Sequence, residues 1–87
     1  MTYQVRHDKR VMKDLDGVPK KDVERIKELF KQMEETPVMH GTEKLSGGSG
    51  MYRIRQGDYR ILYTVDHERK EVRVFKVRDR KEVYRDL

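Results

Sequence analysis

Hydrophobic and polar side chains alternate along residues 51–63, Met-Tyr-Arg-Ile-Arg-Gln-Gly-Asp-Tyr-Arg-Ile-Leu-Tyr. A period of two is the pattern of a strand whose two faces meet different environments. Two strands folded back over Gln56, Gly57 and Asp58 are predicted. Tyr52 and Ile54 share one face, and Arg53 and Arg55 the other. On the return strand Tyr59, Ile61 and Tyr63 alternate with Arg60. Any hairpin loop with an even number of residues puts Tyr52, Ile54, Ile61 and Tyr63 on one face. Arg53, Arg55 and Arg60 then gather on the opposite face.

The same reading extends to the rest of the chain. Residues 2–6 alternate as a short strand, with Tyr3 and Val5 inward. Asp8 is placed to cap a first helix through about Leu15, its carboxylate accepting from free first-turn amides. Val11, Met12 and Leu15 form the apolar stripe of that helix, and Gly17 ends it. Pro19 opens a second helix, where its missing N–H is harmless. Val23, Ile26, Leu29, Phe30 and Met33 recur at helical spacing, with Lys, Glu and Asp between them. Thr36-Pro37 stops it, because the residue before proline is pushed out of the helical region.

Residues 38–50 are predicted to be a loop ending in Lys-Leu-Ser-Gly-Gly-Ser-Gly, with Leu45 as its one apolar anchor. Its glycines do not form a nucleotide-binding loop, since the Gly-Lys-Ser/Thr ending is missing and a strand follows rather than a helix. A flexible connector fits better. Residues 66–70 form a polar turn, and residues 71–78 form the last strand. An odd-numbered turn places Phe75 and Val77 beside Ile61 and Tyr63, and puts Lys76 and Arg78 with Arg60. An even turn would bury Lys76, so the odd register is expected. Residues 79–87 are a charged tail containing Tyr84. The predicted order is strand, helix, helix, strand, strand, strand. This is an α+β domain, with a helical hairpin packed on a mainly antiparallel sheet.

Composition sharpens this picture. The chain has 87 residues, enough for one domain (residues 1–87) with one small core. Hydrophobic residues make up 34% and charged residues 43%, a balance that could describe a disordered chain without the strand and helix periodicity. The net charge is +5 and the pI about 9.6, which favours an anionic partner. With no cysteine there is neither a disulfide framework nor a cysteine-based zinc site. No apolar run approaches the roughly 20 residues that span a bilayer, and no signal-peptide core opens the chain. A cytoplasmic protein is expected, without a membrane partner.

The chemistry concentrates in Arg53, Arg55, Arg60 and Arg78, with Tyr84 alongside. Like charges facing one another across a strand pair destabilise it, by up to about 1 kcal/mol. A phosphate is the partner that would offset such a patch. The arginine face is expected to hold no carboxylate before Asp79, apart from Asp58 in the turn. His7, His40 and His67 show no metal-ligand spacing. Glu24, Glu28, Glu34 and Glu35 read as a solvated helix face paired with Lys20, Lys21, Lys27 and Lys31. Tyr52, Tyr59 and Tyr63 are expected in the core. No cofactor or metal is expected.

These residues resemble the RelE toxins of the RelE/ParE superfamily, found in bacterial and archaeal toxin–antitoxin pairs. The likeness is carried by Leu45 and the glycine-rich connector, by Tyr52-Arg53-Ile54-Arg55, by Gly57-Asp58-Tyr59-Arg60-Ile61-Leu62-Tyr63, and by Val77-Arg78 followed by Glu82-Val83-Tyr84. It covers the whole chain. The resemblance implies a type II toxin that cleaves messenger RNA in the ribosomal A site, without a metal, by attack of the ribose 2′-hydroxyl on the adjacent phosphate. By position, Arg60 matches the family's phosphate-stabilising arginine, Arg78 the arginine assigned to the leaving group, and Tyr84 the tyrosine that stacks on or orients a base.

Arg53 and Arg55 stand where the best-studied relatives carry lysines, one of them assigned as the base. Arginine is a poor base because it stays protonated. Either the base lies elsewhere, with Tyr84 and Glu82 as candidates, or the arginines act by charge and the proton leaves to water. The implied partners are a RelB-like antitoxin, the ribosome and mRNA, and operator DNA only through the antitoxin. Two other functions share the superfamily fold: a ParE-like inhibitor of DNA gyrase, and an attenuated toxin acting mainly as an antitoxin-binding co-repressor.

Overall fold

A five-stranded sheet in the order β1-β5-β4-β3-β2 carries two helices, in a computed structural model that describes residues 2–45 and 50–79. The strands are β1 (Gln4–His7), β2 (Glu43–Lys44), β3 (Met51–Gln56), β4 (Tyr59–Asp66) and β5 (Glu71–Asp79). The helices α1 (Lys9–Asp16) and α2 (Lys20–Glu35) lie between β1 and β2 in the chain. Only the β1–β5 pair is parallel. The expected α+β architecture is present, with β2 as an addition inside the stretch predicted to be a loop.

The β3–β4 hairpin turns on two residues, Gly57 and Asp58, because Gln56 pairs with Tyr59. Gly57 takes φ +61, which suits the first position of a tight hairpin turn. The even loop pairs Tyr52 with Tyr63 and Ile54 with Ile61, as the alternation requires. Ile54, Tyr59, Ile61, Tyr63 and Val65 are buried on the helix-covered face. Val11 and Leu15 of α1 and Ile26, Leu29 and Met33 of α2 complete the core with Val72, Val74 and Val77. Met12 departs from the predicted stripe and is exposed.

The β4–β5 register is more complex than a single parity. Asp66 pairs with Glu71, leaving four residues in the turn, so the odd turn is not formed. Asp66 Oδ1 accepts from the Glu68 and Arg69 amides at 3.1 and 3.0 Å and shapes that turn. The four-residue turn pairs Val65 with Val72 and Tyr63 with Val74. Continued unbroken, this register would set Lys76 against Ile61 and bury its charge. A bulge intervenes, and Phe75 is the additional residue. Beyond it Leu62 pairs with Lys76, Ile61 with Val77, and Arg60 with Arg78. Val77 and Arg78 therefore lie where the sequence reading put them, while Phe75 is half-buried and outside the core cluster.

β1 accompanies β5 only as far as Val74. Past that point α1 takes over the strand edge: the Val74 carbonyl accepts from the Asp8 amide at 3.0 Å, and the Val77 amide donates to Asp14 Oδ2 at 3.1 Å. Asp8 occupies the N-cap position of α1, but its carboxylate does not cap the helix amides. It accepts instead from Arg73 Nε at 2.8 Å and a second Arg73 nitrogen at 3.1 Å. A fork of two charge-assisted bonds outcompetes one helix amide.

Residues 37–42 are tied to the sheet from beneath. The Tyr63 hydroxyl, fully buried, donates to the Pro37 carbonyl at 2.8 Å and lies 3.3 Å from Thr42 Oγ1. Burial pushes its phenol above the ordinary tyrosine value. Tyr52 stacks on the same ring at 5.8 Å between centroids. At the other end of the connector, Gly50 takes φ +75, and a Cβ there would lie 2.7 Å from the Val65 carbonyl oxygen. Glycine is needed at that approach.

Tyr63→Phe strands the buried Pro37 carbonyl and is expected to lower stability by about 1–3 kcal/mol in urea unfolding, with an unchanged m-value. The Arg73 hydrogen bonds hold the Asp8 carboxyl below the ordinary aspartate value. The pair therefore supports the fold above the unfolded-state pKa and loses that contribution as pH falls through the lower folded value. Asp8 is expected to titrate below a free aspartate by NMR, and Arg73→Gln is expected to move it upward.

Candidate active site

The sheet face turned away from the helices carries the basic residues, because every second strand position on the other face is committed to the core. Arg55, Arg60 and Arg78 form a row across β3, β4 and β5, with Arg60 paired to both neighbours. Directly paired side chains stand about 4.5–5.5 Å apart at Cβ, close enough to act on one phosphate. Arg53 lies in the adjacent row, opposite Leu62, which in turn faces Lys76. Arg78 reaches this face only because of the Phe75 bulge. Arg55 is tied back to the turn, its Nε donating to the Gly57 carbonyl at 2.9 Å.

Arg53, Arg55 and Arg60 line a cleft of about 140 Å³ together with Gly41 and Glu43. Three of the predicted arginines thus share one small space, and Arg78 flanks it through its pairing with Arg60. Tyr84 and Glu82 lie outside the described residues. Among the described residues no group of three or more His, Asp or Glu side chains is arranged to hold a metal ion.

Glu43 is the residue that the sequence reading missed. The arginine face was expected to lack a carboxylate at this point in the chain. In the fold, β2 pairs antiparallel with β3 and sets Glu43 opposite Arg53, to which it is salt-bridged. The Arg53 hydrogen bond and charge, with a further contribution from Arg60, hold the Glu43 carboxyl below the ordinary glutamate value. A signal was present in principle: Glu43-Lys44 precedes Leu45, whose amide donates to the Met51 carbonyl at 3.0 Å and continues the pairing. Two residues are too short a run to show alternation.

A second, wider cleft of about 630 Å³ lies between α2 and β3. Leu29, Met39 and Ile54 supply its apolar lining, with His40 and Arg55 among its polar groups. It opens beside the arginine cleft, since Arg55 and Gly41 line both. No helix among the described residues is long and apolar enough to cross a membrane.

Comparison with known proteins agrees with this architecture. Residues 5–84 match the family described as ParE toxin of type II toxin-antitoxin system, parDE. The toxin RelG of Mycobacterium tuberculosis is 29% identical over 86 residues, covering 98% of this chain and 99% of that protein. The archaeal RelE–RelB complex from Pyrococcus horikoshii contains a chain 35% identical, with a TM-score of 0.84 over 92% of this chain and 97% of that one. The intact E. coli RelBE toxin–antitoxin complex gives 26% identity and a TM-score of 0.76, covering 88% of this chain and 95% of that one. With the family match running through nearly all of the sequence, and RelE structures sharing its strand order and helix placement, the chain belongs to the ParE toxin family of type II toxin–antitoxin systems and is a RelE-type toxin of the RelE/ParE superfamily.

Proposed function

We propose that this toxin is a metal-independent endoribonuclease that cleaves mRNA in the ribosomal A site and so arrests translation. The observation that carries the reading is the cross-strand row Arg55–Arg60–Arg78 beside Arg53, on a sheet face left open by the helices. Attack of a ribose 2′-hydroxyl on its own 3′-phosphate builds extra negative charge on the phosphate oxygens. Fixed guanidinium groups stabilise that charge more in the transition state than in the substrate. Arg60, central in the row, is assigned to the phosphate, and Arg78 to the departing 5′-oxygen. Arg53 and Arg55 add positive field and hold the RNA backbone. Tyr84 is assigned to orienting a base by stacking. The ribosome supplies substrate positioning, so modest chemistry at the toxin suffices. This activity places the protein in the cytoplasm.

The partner proposed for the toxin is a RelB-like antitoxin, as in the RelE–RelB complexes among its structural relatives. An amphipathic antitoxin segment with acidic flanks would bury apolar surface over Leu29, Met39 and Ile54 while neutralising the arginines nearby. Binding to operator DNA would then occur through the antitoxin.

The family description favours a second reading, a gyrase poison of the ParE kind. A gyrase-binding protein has no need of a phosphate-clamping arginine row, and its presence favours RNA cleavage. An attenuated, antitoxin-binding co-repressor is the third possibility.

Toxin-dependent cleavage of mRNA on stalled ribosomes, run beside gyrase supercoiling with the same preparation, separates these readings. A-site cleavage with normal supercoiling is expected; gyrase inhibition without cleavage overturns the proposal. Arg60→Ala and Arg78→Ala are each expected to reduce cleavage about 100-fold or more, and to abolish growth arrest, with the thermal midpoint little changed. Undiminished toxicity in either variant would remove these residues from the site.

A further inference from the structure

The reaction requires a proton acceptor for the 2′-hydroxyl, and none of the four arginines can serve. Arginine holds its proton throughout the accessible pH range. We propose that Glu43 is the general base, an inference that rests on the ribonuclease reading above. It is the one side chain lining the arginine cleft that is an anion at neutral pH.

Three features of the fold support this role. The Arg53 salt bridge fixes the carboxylate at the cleft, while 66% side-chain exposure leaves it open to an incoming ribose. Thr42, the preceding residue, contacts the buried Tyr63 hydroxyl, so β2 is anchored to the core rather than draped over the surface. Gly41, also lining the cleft, adds no side chain that would block the approach. The charged groups around Glu43 are Arg53 and Arg55 of β3, Arg60 of β4, and Lys44 on its own strand. A substrate phosphate competes with the carboxylate for Arg53 and Arg60. As those cations turn to the phosphate, the proton affinity of Glu43 rises at the moment a base is needed.

In the step itself, the Glu43 carboxylate takes the 2′-hydroxyl proton as the 2′-oxygen bonds to phosphorus. The bond from phosphorus to the 5′-oxygen of the next nucleotide breaks, and that oxygen is protonated by water. Products are a 2′,3′-cyclic phosphate and a 5′-hydroxyl. The protonated Glu43 then returns its proton to the hydroxide so formed, and no oxidant, reductant or metal is consumed.

The test compares wild type, Glu43→Gln and Glu43→Asp on ribosomes stalled with a cleavable mRNA, under single-turnover conditions. Binding is measured separately on ribosomes carrying the same mRNA with a 2′-O-methyl group at the scissile nucleotide. Glu43→Gln is expected to slow cleavage about 10²–10⁴-fold while binding the uncleavable complex as tightly as wild type or more so, because an anion has left a basic cleft. Glu43→Asp is expected to fall between them. Cleavage by Glu43→Gln at the wild-type rate or faster overturns the proposal, showing that Glu43 only restrains the arginines. Binding lost in step with cleavage overturns it too, since Glu43 would then act only by holding Arg53 in place. An inert wild type would instead defeat the ribonuclease reading, and this inference with it.

Discussion

The whole molecule depends on side-chain parity in the sheet. Successive residues of a strand point to opposite faces, so a single register step exchanges the buried set for the exposed set. Here one face is the lid of a small core and the other is a cluster of arginines. The four-residue turn between β4 and β5 satisfies that parity for Val72 and Val74 but violates it for every residue beyond. The extra residue at Phe75 restores it, sending Val77 to the core and Arg78 to the arginine face. The bulge reconciles a turn with a strand, and it also assembles the site. Bulges recur beside active sites for this reason: they redirect a side chain without disturbing the rest of the ladder.

The site is also an arrangement of opposed electrostatic demands. Three arginines sharing one cleft repel one another, and nothing in the core compensates for them. The backbone ladder and the apolar contacts on the far face hold their Cα atoms in place, leaving the guanidinium groups ready for an anion. Glu43 supplies one negative charge to that cluster, through Arg53 at short range and Arg60 at longer range. It lowers the repulsion in the free protein without neutralising the face. The partial balance suits a site that receives a phosphate and then releases a product.

A small core leaves the edges of the sheet to be managed by other means. β1 stops short, and α1 covers the remaining edge of β5 through the Asp14 carboxylate. The Asp8–Arg73 pair fixes the junction where strand gives way to helix. On the opposite edge, β2 is brief and is held by the buried Tyr63–Pro37–Thr42 contacts. That anchor connects core to chemistry, since the strand it steadies carries Glu43.

The hydrophobic pattern of the sequence by itself determined both helices, their ends, the β3–β4 hairpin and its even loop, and the gathering of Arg53, Arg55 and Arg60. These follow from local rules: a period of two or 3.6, a proline at a helix start, a glycine at a turn. The RelE likeness extended that reading to Arg78 and Tyr84, the second of which lies outside the described residues. Tertiary structure alone decided four other features. Asp8 left its helix for Arg73 because a partner 65 residues away offers two charged bonds. Met12 remained exposed because the core has room for Val11 and Leu15 on α1. The Phe75 bulge arose from a conflict between a turn length and a strand pattern, each unremarkable alone. Glu43 entered the arginine cleft through pairing with a strand ten residues onward, where a two-residue run carries no period to read. Each of the four depends on which distant partner is present, and local periodicity holds no information about that.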